Sequence, residues 1–144
     1  MSLRCEIVSQ DRVVYSGDAD MVVIPGYEGV MGILPNHSQV LTLMRFGIIT
    51  VKTKLGEQYF TVAGGVAEVQ PDQVTILADA AENVEEIDVQ RAEAAKKRAE
   101  ELLKTGVKPD SDSYLELQAA LHRSDLRISA ARRFKSGKRL RDSY

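Results

Sequence analysis

The segment Ile87-Asp88-Val89-Gln90-Arg91-Ala92 separates two kinds of sequence in this chain of 144 residues. Before the segment, apolar and polar residues alternate and Val, Ile, Gly and Thr are frequent, as in β-strands. After it, Ala, Glu, Lys, Arg and Leu dominate, and apolar residues recur with the helical period of about 3.6 residues. Asp88 lies where a carboxylate can cap a first helical turn by accepting from its unpaired N–H groups. The sequence therefore predicts a β unit over residues 1–84 and a helical unit over residues 85–144.

Turn signals divide the β unit into short runs that are predicted to be strands. The runs include 3–8, 12–16, 21–24, 46–53, 58–62, 66–69 and 74–77. Pro25-Gly26 is predicted to end the third strand, and Gly64-Gly65 predicts a bulge or a close approach of two backbones. About nine short strands at this spacing are typical of an antiparallel sandwich or a flattened barrel.

Two amphipathic helices follow the capping aspartate. The first is predicted from Asp88 to Lys104, and the second from a capping box of Ser113 and Glu116 to about Phe134. Their predicted apolar stripes are Ala92, Ala95, Ala99, Leu102 and Leu103, and Leu117, Leu121, Ile128 and Ala131. The short link between the helices predicts an antiparallel hairpin. Because the stripes are rich in Ala, the hairpin should bury little area and be mobile unless it docks.

The residues of the β unit form no pattern that indicates catalysis or metal binding. No Ser or Thr is placed with a His and a carboxylate in a nucleophile elbow, and His37 stands alone in a Gly/Pro loop. No pair of His, Cys or acidic residues has metal-ligand spacing. The single cysteine, Cys5, alternates with Leu3 and Ile7 and is predicted to lie in the core. We expect no catalytic residue, no metal and, because no run reaches about 20 apolar residues, no membrane-spanning segment.

Charge is distributed unevenly along the chain. Residues 1–84 carry 5 basic and 10 acidic side chains, whereas residues 85–144 carry 14 basic and 11 acidic ones. The last stretch, 122–144, carries 8 basic and 2 acidic side chains. An acidic β unit and a basic C-terminal end favour two different partners, or one half that reaches for something anionic. The basic run 132–141 could meet an acidic protein surface, nucleic acid or an anionic membrane, or remain solvated.

Four arginines of the helical unit are spaced so that they can meet in a hairpin. They form two pairs, each on one face of its helix: Arg91 with Arg98, and Arg123 with Arg127. Two arrangements stay open from these spacings. Glu93, Asp125 and solvent could neutralise the arginines on separate outer faces. Alternatively, the guanidinium groups could surround an anion with several oxygens, such as a phosphate, which they fit bidentately.

Three stretches of the chain together resemble the epsilon subunit of the rotary F-type ATP synthase, in its bacterial or plastid form. The first is Gly29-Val30-Met31-Gly32-Ile33-Leu34-Pro35-Asn36-His37, and the second is Gly64-Gly65-Val66-Ala67-Glu68-Val69-Gln70-Pro71-Asp72. The third is the segment from Ile87 to Ala92. The resemblance implies an antiparallel sandwich of about ten strands that packs on the gamma subunit and the membrane rotor ring, followed by the helical hairpin.

The resemblance also implies a regulatory role without catalysis. The subunit would turn with the central stalk and couple proton flow to ATP synthesis. It would be peripheral to the membrane, at the cytoplasmic face of the plasma membrane or the stromal face of the thylakoid. Its hairpin would switch between a folded form and an extended form that reaches the catalytic head and restrains ATP hydrolysis.

ATP is implied as a regulatory ligand that the folded hairpin binds but does not hydrolyse. The positions that match the family's ATP-binding members are Glu82, Ile87, Asp88, Arg91, Ala92, Arg98, Arg123 and Arg127. The four arginines would hold the triphosphate, while Ile87 and Asp88 would lie near the adenine. No metal is required by the sequence.

Two other classes of protein remain as alternatives. A stand-alone nucleotide- or nucleic-acid-binding module would use the basic helical tail, but 3 Phe, 5 Tyr and no Trp offer few platforms for stacking bases. An enzyme would need a catalytic set that the residues do not provide. We therefore predict an α+β protein that acts as a stalk subunit, without catalysis and without a nucleic-acid partner.

Overall fold

Eight strands and two long helices make up the part of the chain that the computed structural model describes, residues 2–109 and 111–135. The strands are β1 (Leu3–Val8), β2 (Val13–Ala19), β3 (Met21–Gly26), β4 (Gly29–Ile33), β5 (Val40–Thr53), β6 (Gly56–Val69), β7 (Gln73–Ala78) and β8 (Ala81–Asn83). A short 3₁₀ helix (Val84–Glu86) precedes α1 (Val89–Thr105) and α2 (Asp112–Phe134). The contacts within the chain divide it into two units between Val84 and Glu85.

The β unit is a sheet in the strand order β2-β1-β7-β6-β5-β3-β4, with β8 paired to β6. β2 contacts β5 and β8, although three strands separate β2 from β5 in that order, so the sheet folds over itself and encloses a core. Fully buried core residues include Leu3, Ile24, Ile49, Phe60 and Ile76. The predicted β-sandwich followed by two helices is confirmed.

Two long strands replace several of the short strands that the sequence predicts. β5 and β6 are each 14 residues long and pair with each other along most of their length. β6 pairs with β8 before Gly64 and with β7 from Gly65 onward. The φ angles of Gly64 (+89°) and Gly65 (+131°) turn β6 without ending it. This continuity merges the predicted runs 58–62 and 66–69 into one strand, and the described residues form eight strands.

The same glycine pair allows two backbones to approach closely. A Cβ at Gly65 would lie 2.3 Å from the carbonyl oxygen of Leu77, a separation that no side chain tolerates. The carbonyl oxygen of Gly64 accepts from the backbone N–H of Asp79 at 3.1 Å. The predicted close approach at Gly64-Gly65 is confirmed. The backbone that approaches the glycine pair is that of β7 and the residue after it.

Two features of the sheet correct the sequence prediction. β3 continues through Pro25 to Gly26 and does not end before them. The hydrogen-bond ladder between β3 and β5 is interrupted by a register shift between Val23 and Gly26. Pro25, which has no backbone N–H to donate, lies within that interruption, so the ladder loses no hydrogen bond there. The second correction is the pairing of β1 with β7, which is parallel, whereas the predicted sandwich is antiparallel.

Cys5 is a core residue of β1, as predicted. Its side chain is fully buried. Burial disfavours the thiolate and raises the pKa of the Cys5 thiol to about 12, so the group stays protonated at neutral pH. A protonated, inaccessible thiol is a poor nucleophile, which agrees with a packing role.

The predicted capping box at the start of α2 is wrong. The cap is Ser111, whose Oγ accepts from the backbone N–H of Tyr114 at 3.2 Å. Ser113 lies inside the first turn, and Glu116 is too far along the helix to reach back to the cap. The end of α2 at Phe134 is as predicted.

Candidate functional site

Small side chains line the contact between α1 and α2. Ala92 and Ala99 of α1 are buried, as are Ser124 and Ile128 of α2. Only Ile128 among them is large, while Leu103, Leu117 and Leu121 of the predicted stripes are half-buried, so the two helices bury a modest apolar area. Leu102, predicted to belong to this contact, is 47% exposed and lies outside it.

Three side-chain contacts between the helical segments fix their register. They join Lys96 to Asp125 (2.7 Å), Arg132 to Glu93 (3.0 Å), and Lys135 Nζ to the carbonyl oxygen of Ile87 (2.8 Å). Rising residue numbers in α1 meet falling numbers in α2, so the predicted antiparallel hairpin is confirmed. The hydrogen bond to the Asp125 carboxylate raises the pKa of Lys96, which stabilises its charged form.

Arg91 and Arg98 lie on the side of α1 that faces away from its ion pairs. Successive helical residues are about 100° apart, so Arg91 and Glu93, which flank the buried Ala92, point to opposite sides of it. Glu93 pairs with α2 on one side, which we call the ion-pair side. Arg98 precedes the buried Ala99 just as Arg91 precedes Ala92. Both arginines therefore lie on the other side, which we call the arginine side.

Arg123 and Arg127 lie on the arginine side of α2. Asp125 precedes the buried Ile128 by three residues and projects about 60° to one side of it, where it meets the lysine of α1. Arg127, immediately before Ile128, projects about 100° to the other side. Arg123 likewise comes immediately before a buried residue, Ser124, and projects to the same side as Arg127. Because Asp125 marks the ion-pair side, all four arginines share the opposite side of the hairpin.

The register also sets which arginines lie at the same height along the hairpin. Lys96 lies opposite Asp125, so Arg98, two residues further along α1, lies near the height of Arg123. Arg127, four residues after Arg123 in the antiparallel helix, lies between the heights of Arg91 and Arg98. The four arginines are therefore spread along one side of the hairpin.

Glu93 and Asp125 do not neutralise the arginine side. Glu93 and Asp125, which the sequence offered as neutralising partners, pair instead with cations on the ion-pair side. Within residues 2–109 and 111–135, the side chains of Arg91, Arg98 and Arg123 form no ion pair. Positive groups on one face repel each other, so an anion placed among them would be attracted.

The other residues implied by the resemblance have different surroundings. Ile87 is 1% exposed and lies immediately before the cap of α1. Asp88 is that cap, as predicted, and its Oδ1 accepts from the backbone N–H of Arg91 at 3.1 Å. Ala92 is fully buried, so its small size serves the approach of the helices. Glu82 lies half-buried in β8 and belongs to the β unit.

A second candidate surface covers one outer face of the β unit. Leu43 of β5 lies opposite Val66 of β6, which lies opposite Leu77 of β7, and Leu41 continues the same face of β5. The exposed fractions are 74% for Leu41, 59% for Leu43 and 56% for Leu77. We call these four residues the outer patch. A contiguous exposed apolar patch is typical of a protein-binding surface. The sequence pattern does not predict this patch, because the run 40–45 is not among the predicted strands.

Metal-binding clusters and membrane-spanning helices are absent from the part of the chain that the structure describes. No group of three or more His, Cys, Asp or Glu side chains there could hold a metal ion. No helix there is long and apolar enough to cross a membrane. Nδ1 of His37 lies 2.7 Å from the carbonyl oxygen of Ser38, a contact within its own loop. The basic run beyond Lys135 lies outside the described residues.

Two family models match the chain, one for each unit. The beta-sandwich domain of the ATP synthase delta/epsilon chain matches residues 2–84. The long alpha-helix domain of the same chain matches residues 85–132.

Relatives named ATP synthase epsilon chain are similar over most of the sequence. One from Dehalococcoides mccartyi is 41% identical over 135 residues, which cover 90% of this chain and 91% of the relative. One from Moorella thermoacetica is 40% identical over 131 residues, which cover 90% of this chain and 96% of the relative.

Two solved structures share the fold. A chain of the Euglena gracilis mitochondrial ATP synthase (OSCP/F1/c-ring) has a TM-score of 0.75 at 23% identity, covering 90% of this chain and 81% of that chain. A chain of the Tetrahymena thermophila mitochondrial ATP synthase (central stalk/c-ring) has a TM-score of 0.58 at 13% identity, covering 91% of this chain and 97% of that chain.

Proposed function

The chain belongs to the ATP synthase delta/epsilon-chain family, and on that premise we propose that it is a non-catalytic rotor subunit in the central stalk of an F-type ATP synthase. It would turn with the stalk, couple proton translocation to ATP synthesis, and lie peripherally at the cytoplasmic face of the plasma membrane, or the stromal face of the thylakoid. The observation that carries the proposal is the match over both units at about 40% identity. That match favours a stalk subunit over a stand-alone nucleotide- or nucleic-acid-binding module.

The outer patch is the surface that we assign to the gamma subunit in this proposal. It is apolar, contiguous and carried by three paired strands, so it needs little reorganisation to bind a partner. Apolar side chains at the centre of a patch form the dry core of protein interfaces. The rotor ring is the second partner of the β unit in the proposal, and the catalytic head is the partner of the hairpin when it is extended.

Co-purification with the gamma subunit tests the stalk role. When the chain and the gamma subunit of its own organism are co-expressed, we expect one complex that stays together in gel filtration at micromolar concentration. A control titration with polynucleotide across a salt series should show only weak, non-specific binding. A chain that elutes apart from the gamma subunit and binds polynucleotide tightly would instead support the stand-alone module.

The arginine side is the site that we propose for ATP. Two features support it: the four arginines share one side, and the carboxylates of Glu93 and Asp125 are paired on the other side. Guanidinium groups bind phosphate bidentately, and each charge-assisted bond contributes about 1.5–3 kcal/mol. After ordering costs, four such groups suffice for roughly micromolar affinity. In this proposal Ile87 and Asp88 lie near the adenine.

ATP bound on the arginine side would favour the closed hairpin. Its phosphates would contact arginines of both helices at once, which is possible only while α1 and α2 lie together. A ligand that binds one of two states shifts the population toward that state. In the proposal, ATP therefore keeps the hairpin from extending into the catalytic head and restraining hydrolysis. ATP acts as a regulatory ligand and is not hydrolysed.

Calorimetric titration tests the ATP site. We expect saturable binding of ATP and weaker binding of ADP, because ADP offers fewer phosphate oxygens to the arginines. Arg98→Ala should weaken ATP binding by about 10- to 100-fold, as expected for the loss of one charge-assisted contact. The matched control is Lys97→Ala, which removes an adjacent exposed cation outside the arginine side and should change the affinity by less than about twofold. Equal losses in the two variants would mean that the arginine side is not the site.

A further inference from the structure

Two ion pairs and one hydrogen bond join the helical segments through residues outside the arginine side. The ion pairs lie on the ion-pair side and join Lys96 to Asp125 and Arg132 to Glu93. At the open end of the hairpin, Lys135 Nζ donates to the carbonyl oxygen of Ile87 at 2.8 Å, so the last turn of α2 is fastened to the segment before α1. We call these three contacts the latch.

The apolar contact between the helices is small enough for the latch to matter. Ala92 and Ala99 each bury one methyl group, and Ile128 is the one large buried side chain of the described hairpin. Helices of this length are marginal in water without tertiary support. Exposed ion pairs add little to a large core, but the same energies change the population of a marginal hairpin measurably.

We propose that the latch holds the hairpin closed when no anion is bound, and that its hold weakens as ionic strength rises. The side chains of both ion pairs are between 37% and 60% exposed. Lys96, Asp125 and Arg132 also line an open groove of about 1020 Å³, so water and ions reach them. At about 1 M salt the screening length falls to about 3 Å, comparable with the separations in the ion pairs.

The latch and the arginine side lie on opposite sides of the hairpin, and in these proposals both stabilise its closed form. The latch sets the fraction of molecules that are closed before any ligand arrives, and the apparent affinity of a ligand for the closed form scales with that fraction. The latch is independent of the proposed ATP site, because no bound ligand takes part in it. It can therefore be tested in ATP-free buffer.

A charge swap in the full chain tests the latch. Lys96→Asp and Asp125→Lys each place like charges across the hairpin, and the double variant restores an opposite pair in reversed order. The matched control is Lys97→Asp, which makes the same charge change at the next, exposed position of α1. The readout is amide hydrogen exchange in α2 between residues 117 and 131, because those amides lose protection when the hairpin opens.

The expected result has three parts. At low salt, exchange should be about 3- to 10-fold faster in each single variant, and within about twofold of the native chain in the double variant and in Lys97→Asp. Salt at about 1 M should speed exchange in the native chain and slow it in the single variants, because it screens attraction in the first case and repulsion in the second. Exchange in the double variant as fast as in the singles, or in Lys96→Asp no faster than in Lys97→Asp, would overturn the proposal.

Discussion

Replacing Leu43 by glutamate is expected to weaken binding to the gamma subunit by about 100-fold, or about 3 kcal/mol. Leu43 lies in the middle of the outer patch, opposite Val66, and is 59% exposed in the isolated chain. In the proposed complex this position is buried, so the glutamate would place an unpaired charge in a dry interface and remove a central apolar contact. The measurement is the dissociation constant for the gamma subunit, with the native chain alongside.

Leu55→Glu is the matched control for Leu43→Glu. Leu55 is fully exposed in the turn between β5 and β6, away from the outer patch, and the substitution is chemically identical. It should leave binding unchanged within about twofold, as surface substitutions away from an interface do. Since Leu43 is exposed in the isolated chain, both variants should also keep the native unfolding temperature. Equal binding by both variants would remove the outer patch from the stalk interface.

Replacing Gly65 by alanine is expected to lower the free energy of unfolding of the β unit by about 3 kcal/mol or more. The φ angle of Gly65 is +131°, a conformation in which any other residue costs about 1–3 kcal/mol. The added Cβ would also lie 2.3 Å from the carbonyl oxygen of Leu77, and relieving that overlap costs about 1–3 kcal/mol more. A urea titration can follow the labelling of Cys5, the single cysteine, which is buried in β1 and reports on the β unit alone.

Gly56→Ala separates the two causes of that loss. Gly56 has nearly the same φ angle, +130°, but a Cβ there would meet no atom within 4 Å. Its substitution should therefore cost only the backbone strain, about 1–3 kcal/mol. If Gly65→Ala and Gly56→Ala destabilise the β unit equally, then β7 moves away from β6 at little cost, and the close approach does not determine stability.

Features set by neighbouring residues could be predicted from the sequence. Asp88 caps α1 because its carboxylate reaches an N–H three residues away, which is a local relation. The close approach at Gly64-Gly65 followed from two adjacent residues without side chains. The prediction of the cap of α2 was wrong because the local sequence allows two caps, Ser111 and Ser113. Which serine caps the helix depends on where the link from α1 enters it.

Features set by distant pairing could not be predicted. The parallel pairing of β1 with β7 depends on how the sheet folds over, which no local pattern encodes. In the hairpin, the sequence showed that the arginines form two pairs but not that both pairs share one side. The shared side follows from the ion pair between Lys96 and Asp125 across the helices. The same ion pair holds Asp125 on the side opposite the four arginines.

The pairing of β1 with β7 has a consequence for how the chain is made. Arg4 pairs with Gln73, 69 residues later, and a ribosome adds about 5–20 residues per second, so β1 waits about 3–14 s for its second neighbour. Meanwhile β1 has only β2 as a partner, a two-stranded ribbon that is barely stable in water. Leu3, Cys5 and Ile7 then face solvent on the nascent polypeptide until β7 has been synthesised. Translation speed and chaperone access between the codons for β1 and those for β7 therefore bear directly on the yield of folded subunit.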